Sequence, residues 1–228
     1  MDIKETFEKQ ISTLKEDNNN VSIIVVGSNK NLDFDKKIND IDLFVITKEG
    51  QRQIREIKFV KGIEFDINYF SIDLSNKFIE NKKQFFIEGM SKGNLIYDSN
   101  DIGKKYMESA KIQYEKGPKK ISLEELNSLK FVLFDNIKRI ETLKGDNWQE
   151  IEFLSNLYLR DIIRAYFVIN KKWIPKDKKL FKVLSETDNN LYQMVQKLYI
   201  NYDTDILKEM INYIFKDIKI DEKIKIIY

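Results

Sequence analysis

Asp40 and Asp42 stand one residue apart inside an apolar run, "NDIDLFVIT" (39–47), that otherwise reads as a buried strand. Side chains at i and i+2 of an extended chain share a face, so the two acids project side by side with Ile41 and Leu43 on the opposite face. A later run, "GIEFDINYFS" (62–71), alternates Ile63, Phe65, Ile67 and Tyr69 with Glu64, Asp66 and Asn68. If the two runs are neighbours in one sheet, Asp66 can share the face of Asp40 and Asp42. Carboxylates crowded in this way repel one another and need a counter-charge. Two divalent cations about 3.5–4 Å apart supply it, and such a pair can hold both the attacking and the leaving oxygen of a phosphoryl transfer. Upstream, "VSIIVVGS" (21–28) ends an apolar run on Gly27-Ser28. A strand that runs into Gly-Ser presents backbone N–H groups with little steric cover, and Ser28 adds a hydroxyl, a setting suited to phosphate oxygens.

Composition removes most other chemistry. The 228 residues include no Cys and no His, which excludes thiolate nucleophiles, disulfides, Ser-His-Asp triads and imidazole metal ligands. Carboxylates without histidine suit hard cations such as Mg²⁺. The net charge of +2 on a chain that is 33% charged lacks the basic excess of a protein built mainly to bind nucleic acid. The start, "MDIKETFEKQISTLKED", has no apolar signal-peptide core. No run approaches the roughly 20 apolar residues that span a bilayer, so a cytoplasmic protein without membrane contact is expected. The wealth of Lys, Ile and Asn suggests an AT-rich bacterial genome.

These residues need a scaffold to position them. Ile3, Phe7, Ile11 and Leu14 lie at helical spacing, with Asp2 and Glu5 as a capping-box-like start. Three β-branched or alternating runs (21–27, 41–47, 62–71) read as strands. "SIDLSNKFIENKKQFFIEGM" (71–90) reads as helix, "GNLIYDS" (93–99) as a short strand, and 101–115 as helix. "EKGPKK" (115–120) marks a boundary, which divides the chain into 1–116 and 117–228. Beyond it the pattern is helical. Ser122 and Glu125 form a capping box ahead of an apolar face at Leu126, Leu129, Leu133, Ile137 and Ile140. Further stripes follow at Ile151, Leu154, Tyr158, Ile162 and Tyr166, at Leu191, Val195 and Leu198, and at Ile206, Met210 and Ile214. They are read as the core of a helical bundle.

The order of these pieces resembles the nucleotidyltransferase superfamily that includes DNA polymerase β and the bacterial antibiotic nucleotidyltransferases. Its signature is an apolar strand, Gly-Ser, a gap of about ten residues, Asp-x-Asp and a third acid on a later strand. Gly27-Ser28, Asp40-Ile41-Asp42 and Asp66 match it in order and spacing. "VINKKWIPKDKKLFKVL" (168–184) is similar to an Asn-x-x-Trp/Tyr-x-Pro-x-x-Lys stretch in the helical domain of the antibiotic-type members, which makes Trp173, Pro175 and Lys178 the equivalent positions. The chain departs from the usual pattern with Asn29-Lys30 after Gly-Ser and Asn39 before the first Asp.

The resemblance implies a mixed sheet flanked by helices, followed by an all-α substrate-binding domain that covers the cleft. It implies Asp40, Asp42 and Asp66 as the catalytic, metal-binding acids for two Mg²⁺ ions, with Asp66 favoured over Glu64 because apolar residues flank it. Gly27 and Ser28 would hold the phosphates of a nucleoside triphosphate, ATP being the first expectation, and Lys178 would reach the triphosphate. An acceptor hydroxyl on a small molecule, an antibiotic included, or on a protein would receive the nucleotide. The alternative is a protein of the same fold without catalysis, a nucleotide sensor or an antitoxin-like partner. Arg160 and Arg164, spaced i, i+4, either line the cleft or pair with Asp161 and its neighbours. Nothing selects a general base among Glu150, Glu152 and Asp161.

Overall fold

The alternating apolar runs become strands of one sheet. The computed structural model describes residues 3–143 and 147–218, and the chain divides into two units, Met1–Gly117 and Pro118–Tyr228. The first contains α1 (Ile3–Glu16), β1 (Asn20–Val26), β2 (Asp40–Thr47), β3 (Ile54–Val60), β4 (Ile63–Ser71), α2 (Ile72–Glu80), α3 (Gln84–Lys92), β5 (Asn94–Asp98) and α4 (Ile102–Glu115). The strands lie in the order β3-β4-β2-β1-β5. β2 and β4 pair in parallel, and the other neighbours are antiparallel, so the sheet is mixed.

The two faces of the sheet are filled differently. On one, Phe7, Ile11 and Leu14 of α1 pack on Ile23, Leu43 and Phe65. On the other, Phe44 and Phe70 meet Phe86 of α3, with ring centroids 6.0 and 5.0 Å apart, and Phe78 of α2 packs on Phe70 at 5.9 Å. Phe44 is two residues beyond Asp42 and shares its face. The aromatic cluster therefore closes this face as far as Phe44, while Asp42 is only half-buried and Asp40 is exposed.

Three local features differ from the sequence expectation. β3 was not anticipated: its apolar residues Ile54, Ile57, Phe59 and Val60 follow no strict alternation, and as an edge strand it leaves Ile54, Ile57 and Phe59 exposed. The helix expected over 71–90 is two helices, because Lys82 takes a positive φ of 49° between them. A short helix at Leu180–Thr187 in the second unit also has no counterpart in the sequence expectation. The Asp2–Glu5 capping box lies outside the described residues.

The second unit consists of α5 (Leu123–Glu141), α6 (Trp148–Ile169), a 3-10 turn (Asp177–Lys179), α7 (Leu180–Thr187), α8 (Asn189–Asn201) and α9 (Thr204–Ile214). The predicted stripes supply its core, including Leu133, Ile137, Ile162, Val195, Leu198 and Met210. Among the described residues no helix is long and apolar enough to cross a membrane.

The capping box that opens α5 is present. The Glu125 N–H donates to Ser122 Oγ at 3.2 Å, and the Ser122 N–H donates to Glu125 Oε2 at 2.8 Å. Ser122→Ala should cost about 1 kcal/mol by chemical denaturation of the full chain. The Ser122 backbone N–H, and secondly its side chain, hold the Glu125 carboxyl below its ordinary value. A depressed folded-state pKa gives stability that is present above the unfolded value and lost as pH falls through the folded one. The stability difference between the wild type and Glu125→Ala should therefore be full at neutral pH and shrink in acid. A difference that does not change with pH would contradict the box.

Candidate functional site

β1 ends at Val26, the register partner of Asp42 on β2. Gly27 then turns the chain with φ +78°, a conformation that costs an L-residue about 1–2 kcal/mol. A Cβ built on Gly27 would fall on Asp42 Oδ2, with Cγ 3.0 Å away. The backbone of the turn thus lies directly against the Asp42 carboxylate, and only glycine permits that approach. Two side chains hold the turn in place. Asn29 Nδ2 donates to the Asp40 carbonyl at 2.9 Å and to its Oδ1 at 3.3 Å. Lys30 Nζ donates to the Lys92 carbonyl at 2.7 Å, at the end of α3. Ser28 is exposed within the turn.

The parallel pairing of β2 with β4 sets the acids in rows, Asp40 opposite Glu64 and Asp42 opposite Asp66. Register partners on adjacent strands share a face, so all four carboxylates lie on one side of the sheet, the two members of each row on strands about 4.8 Å apart. Neighbouring like charges need compensation, and at Asp66 the protein supplies it from β3. Arg55 Nε donates to Asp66 Oδ1 at 2.9 Å and Nη2 to Oδ2 at 2.8 Å. Asn68 Nδ2 donates to Oδ1 at 3.1 Å. The hydrogen bond to Asp66, and then its charge, raise the Arg55 pKa further, with smaller contributions from Glu64 and Asp42.

Among the described residues, no group of three or more acidic side chains is gathered so that it could hold a metal ion. Asp40 and Asp42 fit one as a pair of hard oxygen donors beneath a glycine turn that a Cβ would obstruct. Asp66 stands in register beside them, but its oxygens are taken by Arg55 and Asn68.

In the second unit, Lys178 is exposed on the 3-10 turn. The partner of the two arginines is its neighbour Asp177: Arg160 Nη2 lies 3.2 Å from Oδ2 and Arg164 Nη1 3.5 Å from Oδ1. Arg160 and Asp177 help line a cavity of ≈ 260 Å³ whose apolar wall includes Leu159, Leu180, Phe181 and Tyr199.

Sequence reasoning did not single out Arg55, Asn68 or Asn29 as site residues. Asn29 replaces the usual residue after Gly-Ser, and that departure was its signal. Asn68 continues the i, i+2 series from Glu64 and Asp66. Arg55 sits on the unread strand and gave no signal.

Residues 7–98 match the family described as "Nucleotidyltransferase domain". No curated protein matches the chain. Among solved structures, the crystal structure of a nucleotidyltransferase-like protein from Exiguobacterium sibiricum 255-15 superposes with a TM-score of 0.56 at 10% identity, covering 93% of this chain and 74% of that one. That likeness is one of fold. The segment that matches this family runs from α1 through β5 and contains the Gly27 turn and all four acids, so the likeness falls on the first unit.

Proposed function

We propose that the protein transfers a nucleoside monophosphate from a nucleoside triphosphate, ATP first among them, to an acceptor hydroxyl in an Mg²⁺-dependent reaction in the cytoplasm. The observation that carries this reading is the Gly27 turn closed against Asp42, with Asp40 and Asp66 on the same face. Asp40 and Asp42 would hold the divalent ion, with Asp66 as the third acid. The bound metal supplies charge neutralisation for an in-line displacement at phosphorus. The N–H groups of Gly27 and Ser28 would hold the β- and γ-phosphates, and Lys178 is a further candidate for the triphosphate. The acceptor oxygen bonds to the α-phosphorus, the bond to the β-phosphate oxygen breaks, and pyrophosphate leaves. The helical unit would serve the acceptor, a small molecule such as an antibiotic or a protein. Its aromatic-walled cavity beside Arg160 and Asp177 is a place for an apolar part of that molecule.

One observation favours a second reading, a nucleotide sensor or antitoxin-like partner without catalysis: Asp66 is already paired with Arg55. A single experiment separates the two. The chain is incubated with Mg²⁺ and each of four α-labelled triphosphates, with water as the stand-in acceptor. Slow formation of nucleoside monophosphate and pyrophosphate is expected. Nucleoside diphosphate with orthophosphate would contradict the proposal. Binding with no turnover, in the presence of candidate acceptors as well, would favour the second reading.

A further inference from the structure

We propose that Arg55 is a displaceable counter-ion for Asp66, which competes with a divalent cation for that carboxylate and thereby controls when the third acid joins the metal site. The inference rests on the metal-nucleotide reading above and adds to it a residue outside the acidic motif.

The contact is built as a two-position device. Arg55 engages Asp66 through a two-pronged pair, Nε to Oδ1 and Nη2 to Oδ2, the strongest geometry a carboxylate makes with a side chain. It takes one acceptor site on each oxygen and sets a positive charge against the carboxylate, which opposes the approach of a cation. Among the described residues, Arg55 is the only hydrogen-bond donor to Oδ2. The two partners differ in mobility. The Arg55 side chain is 59% exposed on the edge strand, whereas that of Asp66 is 17% exposed. Arg55 can therefore swing into water on its flexible stem while Asp66 stays in place.

A second set of bonds keeps Asp66 oriented after Arg55 leaves. Gln53 Nε2 donates to Asn68 Oδ1 at 2.8 Å, which fixes the amide, and Asn68 Nδ2 donates to Asp66 Oδ1 at 3.1 Å. Departure of Arg55 frees Oδ2 without releasing the side chain. Asp66 then faces Asp42, its register partner on the neighbouring strand. With Arg55 in place, its guanidinium compensates the Asp66 end of the acid face. With Arg55 displaced, a cation shared between the strands would supply that charge. A purely structural ion pair would tie the edge strand to β4 and leave metal affinity unchanged, so the two roles give different results.

The test is titration of the full chain with Mn²⁺ alone, read from the free Mn²⁺ signal in electron paramagnetic resonance. The proteins are the wild type, Arg55→Gln, Asp66→Asn, the double variant and Asp42→Asn. Arg55→Gln should tighten Mn²⁺ binding roughly fivefold or more, the scale of one charge contact at a half-exposed site. Asp66→Asn should erase that gain, so the double variant binds like Asp66→Asn alone. Unchanged or weaker binding in Arg55→Gln overturns the inference. So does a gain that persists without Asp66, because that is a general charge effect. If the wild type binds Mn²⁺ and Asp42→Asn does not, while Arg55→Gln changes nothing, the metal site stands and only this inference falls. Absence of Mn²⁺ binding in every protein removes the metal reading and the inference together.

Discussion

Asp42→Asn is expected to reduce triphosphate turnover by roughly a hundred- to a thousandfold, the scale of losing one preorganised electrostatic group from a reaction centre. Asp42 meets three parts of the site. Its register partners are Val26 of β1 and Asp66 of β4, and the Gly27 backbone lies against its carboxylate. The amide is nearly the same shape as the acid, and the residue is only half-buried, so circular dichroism should show an unchanged fold. Asp33→Asn is the control. Asp33 lies on the exposed loop between β1 and β2 and pairs with Lys36 at 2.6 Å. Its loss should leave turnover unchanged and stability within about 0.5 kcal/mol.

Gly27→Ala should have the second large effect, and on function more than on stability. The positive φ costs about 1–2 kcal/mol. The added methyl must also displace Asp42 Oδ2, the far end of a side chain, so the fold can accommodate it by pushing the carboxylate aside. Loss of nucleotide-dependent stabilisation comparable with that of Asp42→Asn is expected. Gly62→Ala separates the two contributions. Gly62 has a similar φ of +82°, and a Cβ there meets nothing within 4 Å. It should show a similar fall in denaturation midpoint while nucleotide binding persists. Equal binding by both variants would show that contact with Asp42 is not what the glycine serves.

The sequence made the central pair of acids readable for a simple reason: strand periodicity is two. Asp40, Asp42 and Asp66 each sit out of phase with buried neighbours, and that phase carries directly into the sheet. The parallel pairing then places Asp66 opposite Asp42. The apolar stripes of the helical unit were readable on the same grounds, with Leu133, Ile137, Val195, Leu198 and Met210 all buried. What could not be read depends on partners distant in the chain or on weak local patterns. β3 is an edge strand with Arg55, Glu56 and Lys58 among apolar residues that do not alternate strictly, and so resembles a polar loop. The sequence pattern alone points to metal ions for the counter-charge, whereas Arg55 of that strand supplies it at Asp66. The i, i+4 spacing of Arg160 and Arg164 was visible, but their partner Asp177 lies beyond the end of their helix. The break at Lys82 carries neither Gly nor Pro to announce it.

The most direct test of the metal-nucleotide site is thermal unfolding with ATP, GTP, CTP or UTP, each with and without Mg²⁺, on the wild type and on Asp40→Asn/Asp42→Asn. A nucleotide at ~100 times its dissociation constant stabilises the folded chain by about 2.7 kcal/mol. The expected result is a rise in the midpoint that needs both nucleotide and Mg²⁺ and is lost in the double variant. A wild type that no nucleotide stabilises in the presence of Mg²⁺, or a shift that survives loss of both aspartates, would contradict the assignment of Asp40, Asp42 and the Gly27 turn as the nucleotide site.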